Sequence, residues 1–190
     1  MSLLYSKYYC QEMACKTAAW YTPYSRILLL LCVYTTSAVA DTMLQPSKWQ
    51  ILPAQPSIEE PLTLSLKAEK AVKGWMSTSI PVLTIQCAKG SAAVYVETGM
   101  ALEVTMVDQQ IVRLQLDGNK PFPQRWREVT NATVSARDAT ALVKQLTQSQ
   151  KFIFEFTPFN GTPTQAEFSV TGLSAYLPKL AKACWKEQLS

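Results

Sequence analysis

Runs in which apolar and polar side chains alternate one by one constrain this chain more than any other feature. In "LTLSLK", Leu62, Leu64 and Leu66 point one way and Thr63, Ser65 and Lys67 the other. "VLTIQC" repeats the pattern, with Leu83, Ile85 and Cys87 opposed to Val82, Thr84 and Gln86. Successive side chains of a strand face opposite sides, whereas a helix would spread such a pattern around its axis. Each run is therefore a strand half buried in a core. After the Lys89-Gly90 turn, "AAVYVE" returns as a hairpin partner. "IVRLQL", carrying Ile111, Val112, Leu114 and Leu116, ends at an Asp117-Gly118-Asn119 turn and pairs with "FPQRWREVT". "KFIFEF" sets Phe152, Phe154 and Phe156 on one face, and a turn at 160–162 leads back into "AEFSVTG".

The period changes twice. "DATALVKQLTQ" opens on Asp138, a good N-cap, and repeats Leu142, Val143 and Leu146 at helical spacing. "LSAYLPKLAKACW" places Leu173, Tyr176, Leu177, Leu180 and Cys184 on one helical face. Pro178 is tolerated only in a first turn, so that helix begins near Leu177. The expected architecture is mainly β (α+β). It is an antiparallel β-sandwich or strongly curved sheet of about six to eight strands with two packed helices, the second C-terminal.

Residues 1–40 read as a leader. Lys7, Lys16 and Arg26 precede the apolar run Ile27–Val33, and the small residues Ala38-Val39-Ala40 follow. That order marks a cleavable secretory signal peptide, with cleavage after Ala40. The apolar run is shorter than the roughly 20 residues of a spanning helix, which is the alternative. Residues 41–60, with Pro46, Pro53 and Pro56, read as an extended lead-in anchored by Trp49 and Ile51, and 61–190 as a single β-rich domain.

Cleavage changes the cysteine arithmetic. Of five cysteines, Cys10, Cys15 and Cys32 leave with the leader, and Cys87 and Cys184 remain. In an exported protein the remaining two are expected to form a disulfide, two buried free thiols being the alternative. The bridge would pin the C-terminal helix to a core strand.

The available chemistry is narrow. The chain has no histidine, which excludes His-based triads, Cys–His dyads and His metal sites. Two cysteines 97 positions apart make no CxxC redox motif. With 6 glycines, no phosphate-binding loop is visible. Glu97, Glu103, Asp108, Glu128, Glu155 and Glu167 supply carboxylates, but no spacing singles out a catalytic pair. Two sequons, at Asn131 and Asn160, matter only in a glycosylating pathway, and Asn160-Gly161 reads as turn chemistry. No cofactor and no metal are expected. The net charge of +4 falls to +2 once the leader is removed, too balanced to argue for nucleic acid or an anionic membrane.

The densest polar feature is "QRWRE". On a strand, Arg125 and Arg127 share one face, and Gln124, Trp126 and Glu128 the other. Arg and Trp are enriched at interface hot spots, which makes Arg125 and Arg127 candidate partner-binding residues. The plainer alternative is a core Trp126 flanked by arginines that ion-pair at the surface.

Trp49, "LTLSLKAE", "PVLTIQC…AAVYVETGM", "VRLQLDG", Trp126, "FIFEFTPF" and "FSVTGLSAYLPKLAKACW" occur in an order that resembles the periplasmic proteins associated with type VI secretion, the VasI/TagO-like family. The last block, with Gly172, Leu173, Pro178, Leu180, Cys184 and Trp185, is the most specific; an acidic pair before the first strand appears as Glu59-Glu60. The resemblance implies a secretion-associated periplasmic context and not an activity. Together with the narrow chemistry and a mature chain that has no stretch apolar enough to span a bilayer, the expectation is a non-enzymatic periplasmic accessory or adaptor protein, without stable membrane insertion, that contacts another periplasmic or envelope protein. A periplasmic inhibitor or immunity protein against a cell-wall-active enzyme is the alternative, and a carboxylate-dependent wall hydrolase a third class.

Overall fold

A computed structural model of the protein describes residues 47–53, 62–88, 90–105 and 108–185. The leader, its cleavage site, Cys10, Cys15, Cys32 and the Glu59-Glu60 pair lie outside the described residues.

The alternating runs are the long strands of one antiparallel sheet. In chain order the strands are β1 (Gln50–Leu52), β2 (Leu62–Lys67), β3 (Val72–Lys73), β4 (Thr78–Ser79), β5 (Val82–Ala88) and β6 (Ser91–Glu97). They continue with β7 (Gln109–Leu116), β8 (Phe122–Thr130), β9 (Thr133–Ser135), β10 (Lys151–Phe156) and β11 (Thr164–Ser169). Nine of them form a sheet of order β1-β2-β5-β6-β9-β8-β7-β10-β11, and β3 and β4 pair as a separate hairpin. The sheet is not a closed barrel, yet its two ends approach: Glu69, just past β2, donates its N–H to the Glu167 carbonyl of β11 at 2.8 Å. The Trp49 indole likewise donates to the Val170 carbonyl at 3.3 Å.

The mainly β architecture with two helices is the one the alternation requires. The strand count is higher than expected because β1, β3, β4 and β9 are only two or three residues long, too short for a period of two to register. Ile51 does not anchor the lead-in: Trp49 is buried at 4% exposure, whereas Ile51 is 48% exposed on the edge strand β1.

Register aligns the apolar rows into one core. Leu64 stands opposite Ile85 and Ile85 opposite Val94; further round, Leu114 lies between Phe122 and Phe154. Trp126 packs tilted on Phe154 at 5.1 Å between ring centroids, and Phe152 stacks on Phe168 at 6.0 Å. Each such pair contributes about 0.5–1.5 kcal/mol beyond the area it buries.

Helix α1 (Ala139–Gln148) starts where Asp138 accepts the Ala141 N–H at 2.9 Å, and it buries Leu142, Val143 and Leu146. A 3₁₀ turn over Leu173–Tyr176 leads into α2 (Leu177–Cys184), with Pro178 in its first turn. Leu177 is half exposed and outside the core; Leu180 and Cys184 are the buried positions of α2. Gly172, at φ +84°, makes the entry to this turn, and a Cβ there would meet Ser47 Cβ at 2.8 Å. Cys184 is bonded to Cys87 of β5, with Cα atoms 5.0 Å apart and both residues fully buried.

Candidate functional site

The strand β8 separates its two faces as the sequence pattern requires. Trp126 is fully buried, and its indole N–H donates to Gln124 Oε1 at 2.9 Å. Arg125 and Arg127 project from the opposite, solvent-facing side. Arg125 stands opposite Ile111 of β7, which is 65% exposed, and Arg127 lies between Gln109 of β7 and Ser135 of β9. Among the described residues neither arginine has an ion-pair partner; the one arginine of this face that does is Arg113, 3.8 Å from Glu155.

Past Arg127 the pairing with β9 shifts register between Glu128 and Thr130, and the chain turns at Asn131-Ala132. The short return over β9 brings Arg137 back beside Arg127. Together with Asp108, Gln109, Ser135 and Ala136 they line an open groove of about 610 Å³. Asp108 is held there by its carbonyl, which accepts the Glu128 N–H at 3.0 Å. The groove is thus lined by two arginines and one aspartate, with Ile111 exposed beside Arg125 on the same sheet face. Such a surface suits an acidic partner: planar, forked donors for carboxylates with aliphatic contact beside them.

Arg137 is the member that sequence reasoning missed. It lies ten residues from Arg127, just before the Asp138 cap, and only the return of β9 along β8 joins the two. A three-residue strand gives no periodic signal, so nothing local announces the pair.

Three of the six candidate carboxylates are engaged in hydrogen bonds or ion pairs. Glu155 accepts from Gln165 at 2.9 Å and faces Arg113, and Glu167 pairs with Lys151 at 2.7 Å. Glu128 accepts from the buried Gln110 amide at 3.0 Å, and that amide also donates to the Glu103 carbonyl at 2.7 Å. Among the described residues no cluster of three His, Cys, Asp or Glu side chains is placed to hold a metal ion, and no helix is long and apolar enough to cross a membrane. Lys179 and Lys182 are exposed on α2. Compared with known proteins, the chain matches no family model, no curated protein and no solved structure.

Proposed function

We infer that the protein is a periplasmic accessory or adaptor protein that works by contact with another envelope protein rather than by covalent chemistry. The observation that carries this reading is the outer face of β8. Arg125 and Arg127 are exposed there, without ion-pair partners among the described residues, beside exposed Ile111, while Trp126 between them is buried in the core. A stable sheet that holds unpaired guanidinium groups in fixed places is a surface ready for carboxylates. Export to the periplasm rests on the leader pattern, and the link to type VI secretion on the sequence resemblance.

The test is the double substitution Arg125→Ala/Arg127→Ala, compared with Trp126→Ala. Losing one side of a desolvated charged pair costs about 2–5 kcal/mol, so the double arginine variant should keep its melting temperature and lose partner co-purification from the periplasm. Trp126→Ala should instead lose about 3–5 kcal/mol of stability, as deletion of a large core aromatic does. Unchanged co-purification by the arginine variant would place the interface elsewhere, first at Lys179 and Lys182. The secretion link is tested by deleting the gene in its host: undiminished effector release would remove it.

A further inference from the structure

The hairpin of β3 and β4 lies outside the main sheet and carries side chains that the core does not use. Its turn is closed by the Gly74 N–H donating to the Ser77 carbonyl at 2.8 Å. At the tip, Trp75 is 66% exposed and Met76 83%, and Ile80 on the return is 51% exposed. The base is firmly held. Val72 is buried, the Ser79 hydroxyl donates to the Thr98 carbonyl, and the Ala68 N–H donates to the Pro81 carbonyl at 2.8 Å. Gly74 sits so close to Met100 that a Cβ there would lie 2.9 Å from its sulfur. An anchored base with an apolar tip in water is a presented feature, not an unpacked piece of core.

Charge indicates what it meets. Residues 70–80 contain Lys70 and Lys73 and no acid, and both lysines are exposed without an ion pair among the described residues. The adjacent Glu69 is already paired with Lys48 at 2.7 Å. The near-neutral balance of the whole chain therefore conceals a locally cationic hairpin. Size decides between a protein and a lipid surface. A standard protein interface buries about 800 Å² on each side, and a Trp supplies only about 150–250 Å². Three side chains on a narrow turn fall short of that area, but they are enough to enter the headgroup boundary of a bilayer, where Trp is favoured and lysines meet anionic lipid.

We propose that the β3–β4 hairpin is a reversible attachment point for an anionic bilayer surface, with Trp75 and Met76 entering the headgroup region and Lys70 and Lys73 binding lipid phosphates. This is peripheral binding, separate from the arginine face of β8. The experiment reads Trp75 itself, taking the emission of the mature chain from Asp41 minus that of its Trp75→Phe variant, which subtracts the contributions of the buried Trp49 and Trp126 and of the half-buried Trp185. With vesicles of phosphatidylethanolamine and phosphatidylglycerol, the difference emission should shift to the blue and be quenched by lipids brominated in their acyl chains. Phosphatidylcholine vesicles should leave it unchanged. Lys70→Gln/Lys73→Gln should weaken the response roughly 30-fold, and Met76→Ser should weaken it with the same melting temperature. A Trp75 emission that ignores anionic vesicles, or responds equally to phosphatidylcholine, overturns the proposal. So does a lysine double variant that responds like the parent. Shielding of Trp75 by an acidic protein but not by lipid assigns the tip to a protein partner and likewise overturns it.

Discussion

Asp117 sits at φ +48° in the turn between β7 and β8, and its Oδ1 accepts the N–H groups of Gln150 and Lys151, each at 2.8 Å. The left-handed pair Asp117-Gly118, with Gly118 at φ +79°, fills the central positions of a tight turn that the Asn119 N–H closes onto the Leu116 carbonyl at 2.9 Å. One side chain thereby ties the β7–β8 turn to the start of β10. The N–H groups of Lys151 and Gln150, with help from the Ser149 hydroxyl, hold its carboxyl below the usual carboxylate range. A carboxyl lowered by folding stabilises the fold fully above its unfolded value, about pH 4, and that contribution is lost as the pH falls through the lower folded value. Asp117→Asn keeps an oxygen acceptor and the tolerance for positive φ but removes the titration. Melts from neutral to strongly acid pH should therefore show wild type losing more stability than Asp117→Asn below about pH 4. Parallel acid profiles for the two proteins would contradict this role.

At the scale of elements, the disulfide gives α2 its place. The helix has only eight residues, too short to be stable alone in water. It is held by Leu180, by Cys184 and by the bond from Cys184 to Cys87 in β5. Closing a loop of 97 positions is worth roughly 4–5 kcal/mol in chain-entropy arithmetic, an upper figure. Cys184→Ser should lower the unfolding free energy by about 2–5 kcal/mol in denaturant titrations; a loss near zero would mean that α2 is held by packing alone. Elements of this kind were legible in the sequence. Long strands announce themselves by alternation, α1 by the Asp138 cap, and α2 by Pro178 in its first turn. Elements of two or three residues were not, and with them went the β3–β4 hairpin and the placing of Arg127 and Arg137 along one groove. Alternation also assigns faces only where it is strict. Within "IVRLQL" the adjacent Ile111 and Val112 break it, and Ile111 is on the solvent side. Arg125 and Arg127 were legible because Trp126 between them fixes which face is the core.

At the scale of the whole molecule, the residues on which the sequence resemblance rests, a resemblance that no family model matches, are largely packing residues. Trp49, Trp126, Leu173, Leu180 and Cys184 are all buried. A resemblance carried by the core bears on the scaffold first, and the partner must be read from the surface. Export is tested directly: protein recovered from the periplasm should begin at Asp41, and retention of residues 27–33 in a membrane-bound product would contradict cleavage. The claim at the centre of the account is that the outer face of β7 and β8 captures a partner. The most direct measurement places a photo-crosslinking residue at Ile111, exposed beside Arg125, and in a separate variant at Lys182 on α2, each in the native host. Illumination should attach one defined envelope protein at position 111, with the adduct lost in the Arg125→Ala/Arg127→Ala background. No adduct at 111, or one that forms only at 182, would contradict the account.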